Sequence, residues 1–160
     1  MMAQPIRRIL VATDFSEYSR RAMEYALSLA ERMNASVDVL HVWEPPRHLE
    51  TESLVMMPGD PEASLEALGL AQASRLLNAW SERYQSSSVP LQVRLERGPT
   101  ADTILGFANH GYDLVVMGTH GRTGLARLLM GSVAQKVVAR ATCPVLTVHG
   151  VEEQEAQPMG

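Results

Sequence analysis

The sequence predicts an α/β protein with an open, parallel five-stranded sheet and helices on both faces. Short apolar runs, which are typical of buried strands, alternate with longer segments whose apolar residues recur at three- and four-residue steps. A helix between successive strands makes those strands parallel, because the chain must cross over to return to the same edge. In such sheets ligands bind outside the carboxyl ends of the strands.

The first half of the chain is predicted to alternate strand and helix twice. Ser16 is a favourable N-cap for the first helix, and Asn34 is a favourable stop. The segment 44–61 carries four prolines and no sustained period, so we predict a long loop there. The predicted elements are a strand at 6–13, a helix at 16–33, a strand at 36–43 and a long helix at 63–84.

The second half is predicted to add three strands and two helices. Apolar residues alternate with polar ones from Val89 onward, which favours an edge strand. Thr100 and Ser132 are favourable N-cap residues for the helices that follow. The predicted elements are a strand at 89–96, a helix at 100–108, a central strand at 112–117, a helix beginning at 132 and a strand at 143–148.

Glycines punctuate the connection between the fourth strand and the last helix. Gly118, Gly121 and Gly124 come first, and Gly131 directly precedes Ser132. A glycine loop between a strand and a helix is a geometry that holds phosphate, because the backbone can approach closely and the helix start offers N–H groups. The glycines alone leave a second interpretation open, which is a long surface loop that needs turns.

Composition limits the classes of function. The net charge of −4 argues against nucleic acid as the main partner. The single cysteine, Cys143, excludes an internal disulfide and the strong zinc signatures, and is best explained as a buried residue entering a strand. The N-terminal apolar run is too short for a signal peptide or a membrane span. We expect a cytoplasmic protein with one domain at 1–150 and a polar tail at 151–160.

The spacing Gly118-x2-Gly121-x9-Gly131-Ser132 resembles the nucleotide-binding pattern of the universal stress protein family, in its ATP-binding type. Four further segments are similar to the opening strand and helix, the second-strand exit and the later segments of that family, so the resemblance covers nearly all of 6–149. These segments are ILVATDFSEYSRRAMEYAL, HVWEPP, RGPTADTIL and DLVVMGTHG.

The resemblance implies a Rossmann-like fold with strand order 3-2-1-4-5 and bound ATP, accompanied by Mg²⁺. Asp14 would then lie near the ribose and phosphates, although helix capping is an open alternative for this carboxylate. Arg122 is a candidate source of positive charge near the phosphates. The complete set of candidate nucleotide-binding residues is Ala12, Thr13, Asp14, Val42, Met117, Gly118, His120, Gly121, Arg122, Gly131, Ser132 and Val133.

The resemblance also implies a homodimer paired through the last strand, at Pro144, Val145, Leu146 and Val148. An apolar edge strand favours the same arrangement, because pairing with a second copy removes an aggregation hazard.

Three functions are compatible with these features. We favour a homodimeric, ATP-binding regulatory or sensor module in a stress response. A slow ATP hydrolase or phosphotransferase is the alternative, but the sequence has no GxxxxGK[ST] loop and no kinase motif. His120 has no second base in the pattern, so we expect no enzyme, with weak ATP hydrolysis left open. The third candidate is a structural or chaperone-like dimer that binds no nucleotide.

Overall fold

The computed structural model describes residues 3–46, 61–120 and 130–150. These residues form a parallel five-stranded sheet in the order β3-β2-β1-β4-β5, which confirms the predicted fold class and strand order. The strands are β1 Arg8–Ala12, β2 Ser36–Trp43, β3 Leu91–Arg97, β4 Leu114–Gly118 and β5 Val145–Val148. The described helices are α1 Glu17–Met33, α2 Pro61–Arg83, α3 Thr100–Ala108 and α4 Ser132–Arg140.

The helices cover the two faces of the sheet in pairs. Successive side chains of a strand point to opposite faces, so β1 contributes to two separate hydrophobic cores. Ile9 and Val11 belong to the core under α1 and α2, whereas Leu10 and Ala12 belong to the core under α3 and α4. These four β1 side chains are all buried, which explains why the sequence from Ile9 to Ala12 is a continuous apolar run.

The register brings three strand ends together at one edge of the sheet. Ala12, the last residue of β1, pairs with Leu40 of β2 on one side and with Met117 of β4 on the other. The strand order reverses between β1 and β4, and ligands in open α/β sheets bind at such a reversal. The fold therefore positions a site at the carboxyl ends of β1, β2 and β4.

Two of the three predicted N-caps are wrong by one residue. Ser16 does cap α1, where its side chain accepts from the Ser19 N–H at 3.3 Å. The N-caps of α3 and α4 are Pro99 and Gly131, so Thr100 and Ser132 are the first helical residues. The sequence rule selects the nearest polar side chain, and neither Pro99 nor Gly131 has a side chain that can cap.

A charged cluster with a buried carboxylate at its centre lies at the opposite end of the sheet from that site. Asp38 of β2 is 4% exposed, and its carboxylate lies 3.0 Å from the Arg8 guanidinium and 3.5 Å from that of Arg94. The hydroxyl of Tyr112, just before β4, donates to the same carboxylate oxygen. The cluster ties the start of β1 to β2, β3 and the segment before β4.

Two expectations based on composition concern Cys143 and membrane-spanning helices. Cys143 is half-buried against the core under α3 and α4, and burial raises the pKa of its thiol, as the interpretation of a packed residue predicts. None of the helices in the described ranges has the length and apolar character needed to cross a membrane.

Candidate functional site

A cleft opens at the carboxyl ends of β1, β2 and β4. Its empty space amounts to about 690 Å³, a volume that includes open solvent at the mouth of the cleft. Gly121 and Arg122 lie outside the described residues. The other candidate residues all line the cleft, namely Ala12, Thr13, Asp14, Val42, Met117, Gly118, His120, Gly131, Ser132 and Val133.

Hydrogen bonds within the β1–α1 turn fix Thr13 and Asp14 at the cleft. The buried Thr13 hydroxyl donates to Ser19 Oγ at 3.1 Å and accepts from the Phe15 N–H at 3.0 Å. Asp14 Oδ1 accepts from the Ser16 N–H at 3.0 Å. Ser16 is the residue that caps the helix, so Asp14 organises the turn that precedes it.

Phe15 holds this turn in an unusual backbone conformation. Its φ of 65° is in the left-handed region, which disfavours residues with a Cβ. The ring is anchored by His41, at 4.4 Å between centroids, and by Trp80 at 5.8 Å. His41 Nδ1 in turn lies 2.8 Å from the Thr13 carbonyl oxygen. Packing on β2 and α2 therefore stabilises the strained turn and the position of Asp14.

Gly118 ends β4 directly against the start of α1. A Cβ at Gly118 would lie 2.7 Å from the Tyr18 Cβ, closer than real Cβ contacts, and 3.0 Å from the Tyr18 carbonyl carbon, which is also tight. Glycine is required here for packing between strand and helix, independently of any ligand. Tyr18 also packs on the His120 ring at 5.4 Å between centroids, and His120 Nδ1 lies 3.1 Å from Thr119 Oγ1.

The N-terminus of α4 forms the opposite wall of the cleft. Its N-cap, Gly131, has an extended backbone with φ −69° and ψ 159°, and no side chain of the described residues caps the helix. Ser132, Val133 and Ala134 all line the cleft, and the first N–H groups of a helix lack intrahelical acceptors. The first turn contains no acidic residue. Hydrogen-bond donors and the positive end of the helix dipole therefore face the cleft.

The starts of α1 and α3 differ from that of α4 because side-chain oxygens occupy them. Ser16 caps α1, and Glu17 lies in its first turn. At α3, Glu44 Oε2 accepts from the Thr100 N–H at 3.0 Å and from the Thr100 hydroxyl at 2.8 Å. Of these three helix starts, that of α4 has neither a side-chain cap nor an acidic first turn.

The far end of the cleft, formed by β2 and α3, is mainly apolar. α3 packs over β2, whereas α4 packs over β5, so the two helices begin at opposite sides of the strand reversal. β2 contributes Leu40 and Val42 to the cleft, and α3 contributes Thr100 and Ile104. One end of the cleft thus offers backbone donors, and the other offers an apolar surface with one hydroxyl.

A model of the universal stress protein family matches residues 5–149. The chain belongs to this family. It is 36% identical over 149 residues to a universal stress protein of Thermus aquaticus, covering 89% of this chain and 98% of that protein. It is 31% identical over 146 residues to the universal stress protein YxiE of Bacillus subtilis, with the same two coverages.

Solved structures of other universal stress proteins share the fold. UspA from Lactobacillus plantarum superposes with a TM-score of 0.77 at 24% identity, covering 91% of this chain and 99% of that one. A universal stress protein in complex with cAMP gives a TM-score of 0.66 at 24% identity, with coverages of 91% and 98%. The Archaeoglobus fulgidus protein in complex with dAMP gives 0.61 at 19% identity, with coverages of 91% and 99%.

Several cleft residues of this universal stress protein escaped the sequence analysis. Thr119 and Ala134 adjoin candidate residues, and Leu40 precedes Val42 by two positions on the same strand face, so strand and helix periodicity could have found them. Thr100 and Ile104 come from α3, whose approach to the cleft has no local sequence signal. The complete set of additional lining residues is Ser19, Leu40, Thr100, Ile104, Thr119 and Ala134.

Proposed function

We propose that this universal stress protein binds ATP in the cleft and acts as a regulatory module rather than as an enzyme. The observation that carries the proposal is the N-terminus of α4, which no side chain in the described ranges caps and where Ser132, Val133 and Ala134 line the cleft. Backbone N–H groups and the helix dipole stabilise an anion at such a position, and α/β folds that bind nucleotides use this arrangement to hold phosphate.

The two ends of the cleft suggest how the nucleotide is oriented. The phosphates bind at the start of α4, and the base packs on Leu40, Val42 and Ile104. The carboxylate of Glu44 occupies the start of α3, so it repels phosphate from that helix start. The cAMP and dAMP complexes of other family members support an adenine nucleotide as the ligand.

Mg²⁺ fits this arrangement through Asp14. Among the described residues that line the cleft, Asp14 is the acidic one, and a cation between its carboxylate and a bound triphosphate would offset their repulsion. Mg²⁺ is commonly held by one or two carboxylates together with substrate phosphates. In this role Asp14 holds the ion and Ser132 holds the phosphates. An alternative role for Asp14 is to accept hydrogen bonds from the ribose hydroxyls.

We further propose that the protein acts as a homodimer paired through β5. β5 pairs with β4 on one side, and its other edge faces no strand among the described residues. Val145 and Leu146 are only partly buried there, and a second copy of β5 would cover them and satisfy the outward backbone groups.

Thermal unfolding with increasing ATP, with and without Mg²⁺, tests nucleotide binding. A ligand that binds the folded state stabilises it by RT ln(1 + [L]/Kd), about 2.7 kcal/mol at a hundredfold excess over Kd, so we expect the Tm to rise with ATP concentration. An unchanged Tm at millimolar ATP would contradict nucleotide binding and favour a structural dimer that binds no nucleotide.

Phosphate release under single-turnover conditions separates a binding module from a slow hydrolase, and we expect the bound ATP to be recovered intact.

A further inference from the structure

The hydroxyl of Thr100 donates a hydrogen bond to the carboxylate of Glu44. Glu44 Oε2 accepts from this hydroxyl at 2.8 Å and from the backbone N–H of the same residue at 3.0 Å. An ionised carboxylate can only accept hydrogen bonds, so the hydroxyl must be the donor. A hydroxyl has one proton and two lone pairs. Because Glu44 takes the proton's hydrogen bond, Thr100 Oγ1 can only accept a hydrogen bond from a ligand.

Thr100 is the polar side chain at the apolar end of the cleft. The other cleft residues from β2 and α3 are Leu40, Val42 and Ile104, whose side chains offer a base no hydrogen bonds. A purine packed on them presents its edge groups to whatever polar atoms are near. The 6-amino group of adenine is a donor, and it matches an oxygen that can only accept.

We propose that Thr100 determines the base specificity of the cleft by accepting a hydrogen bond from the exocyclic amino group of adenine. This inference rests on the proposed function, because it requires the base to lie at the β2–α3 end. Glu44 acts through Thr100: it keeps the hydroxyl proton away from the ligand and leaves the oxygen as an acceptor.

A thermodynamic cycle with two nucleotides and two proteins isolates this hydrogen bond. The nucleotides are ATP and purine riboside triphosphate, which lacks the 6-amino group and keeps the ring nitrogens. The proteins are the unchanged chain and Thr100→Val, which replaces the hydroxyl by a methyl group and keeps the backbone N–H that donates to Glu44. Thr100→Ser is the control that restores a hydroxyl. Dissociation constants are measured by calorimetric titration for each combination.

The unchanged protein is expected to bind ATP about five- to tenfold more tightly than purine riboside triphosphate, which is the effect of one net hydrogen bond. Thr100→Val should reduce this preference to less than about twofold, mainly because it weakens the binding of ATP. Thr100→Ser should retain the preference for ATP. If both nucleotides bind the unchanged protein equally, or if Thr100→Val keeps the preference, this inference is wrong and the proposed function stands. If neither nucleotide binds, both fail. Thr100→Ala serves as a second variant without the hydroxyl, should Thr100→Val prove unstable.

Discussion

The backbone N–H of Gly131 donates to the carbonyl oxygen of Thr119 at 2.6 Å. This bond joins the N-cap of α4 to the residue that follows β4, and Thr119 in turn donates its N–H to the Val148 carbonyl oxygen of β5 at 3.0 Å. The start of α4 is thereby attached to the sheet edge at which β1, β2 and β4 end. The helix N-terminus is consequently a fixed part of the cleft wall.

A carboxylate at Gly131 should weaken ATP binding without weakening the fold. Aspartate is among the best N-cap residues, and the extended backbone of Gly131 suits it, so Gly131→Asp should leave the free energy of unfolding unchanged or raise it by a few tenths of a kcal/mol. The same side chain would occupy the helix start and repel phosphate. Calorimetric titration with ATP measures the loss, and chemical unfolding measures the stability.

Gly131→Asn is the matched control, because asparagine has the same shape and capping ability but no charge. Like charges about 4 Å apart near a protein surface interact with roughly 4 kcal/mol, so the aspartate variant should bind ATP at least about tenfold more weakly than the asparagine variant. Equal affinities in the two variants would mean that no phosphate lies at the start of α4.

Gly118→Ala should destabilise the protein even without a ligand. The added Cβ would meet backbone and side-chain atoms of Tyr18 at 2.7–3.0 Å, and overpacking of this kind costs about 1–3 kcal/mol. Gly106→Ala is the control: nothing lies within 4 Å of the added Cβ, and an alanine in a helix should stabilise by about 0.5–1 kcal/mol. Urea unfolding of both variants measures the difference, and similar stabilities would contradict the packing role of Gly118.

Two Tyr→Phe substitutions should have different effects on stability. The Tyr112 hydroxyl donates to the buried Asp38 carboxylate, and hydrogen bonds to charged groups contribute about 1.5–3 kcal/mol, so Tyr112→Phe should lower the free energy of unfolding by that amount. The buried Tyr84 hydroxyl has no hydrogen-bond partner in the described part of the chain. Tyr84→Phe should therefore be neutral or stabilising by up to about 1 kcal/mol. Urea denaturation measures the free energy of unfolding of both variants. A loss of similar size in both would refute the contribution of the charged cluster around Asp38.

Thr147→Pro should separate the dimer while leaving the protomer folded. The Val115 and Thr119 N–H groups donate to Pro144 and Val148, so the alternation of a parallel ladder directs the Thr147 N–H towards the open edge of β5. Proline there removes an outward donor without breaking a bond to β4. Light scattering should give a dimeric mass for the unchanged protein and a monomeric mass for the variant, with similar far-UV circular dichroism. A monomeric unchanged protein at micromolar concentration would exclude the dimer.

The layers were predictable from the periodicity of the sequence, and the strand order was predictable from the family resemblance. Alternating apolar runs and helical periods identify a parallel sheet, and a resemblance over nearly the whole chain supplies its order. The strand-end residues Ala12, Val42 and Met117 were predictable as neighbours, since the carboxyl ends of parallel strands share an edge.

Tertiary contacts account for what the sequence did not predict. The cap of α3 comes from Glu44, 56 positions before Thr100, and no local pattern links the two. Gly118 looked like part of a phosphate loop, although its contact with Tyr18 gives it a packing role. The binding roles of all the candidate residues, including Gly121 and Arg122 outside the described ranges, stay predictions.

Direct titration of the purified protein with ATP and Mg²⁺ in a calorimeter tests the central claim. The uncapped start of α4 and the apolar end of the cleft predict saturable binding of one ATP per chain, reduced at least about tenfold further in Gly131→Asp than in Gly131→Asn. The absence of saturable binding up to millimolar ATP, in a protein shown to be folded, would contradict the account.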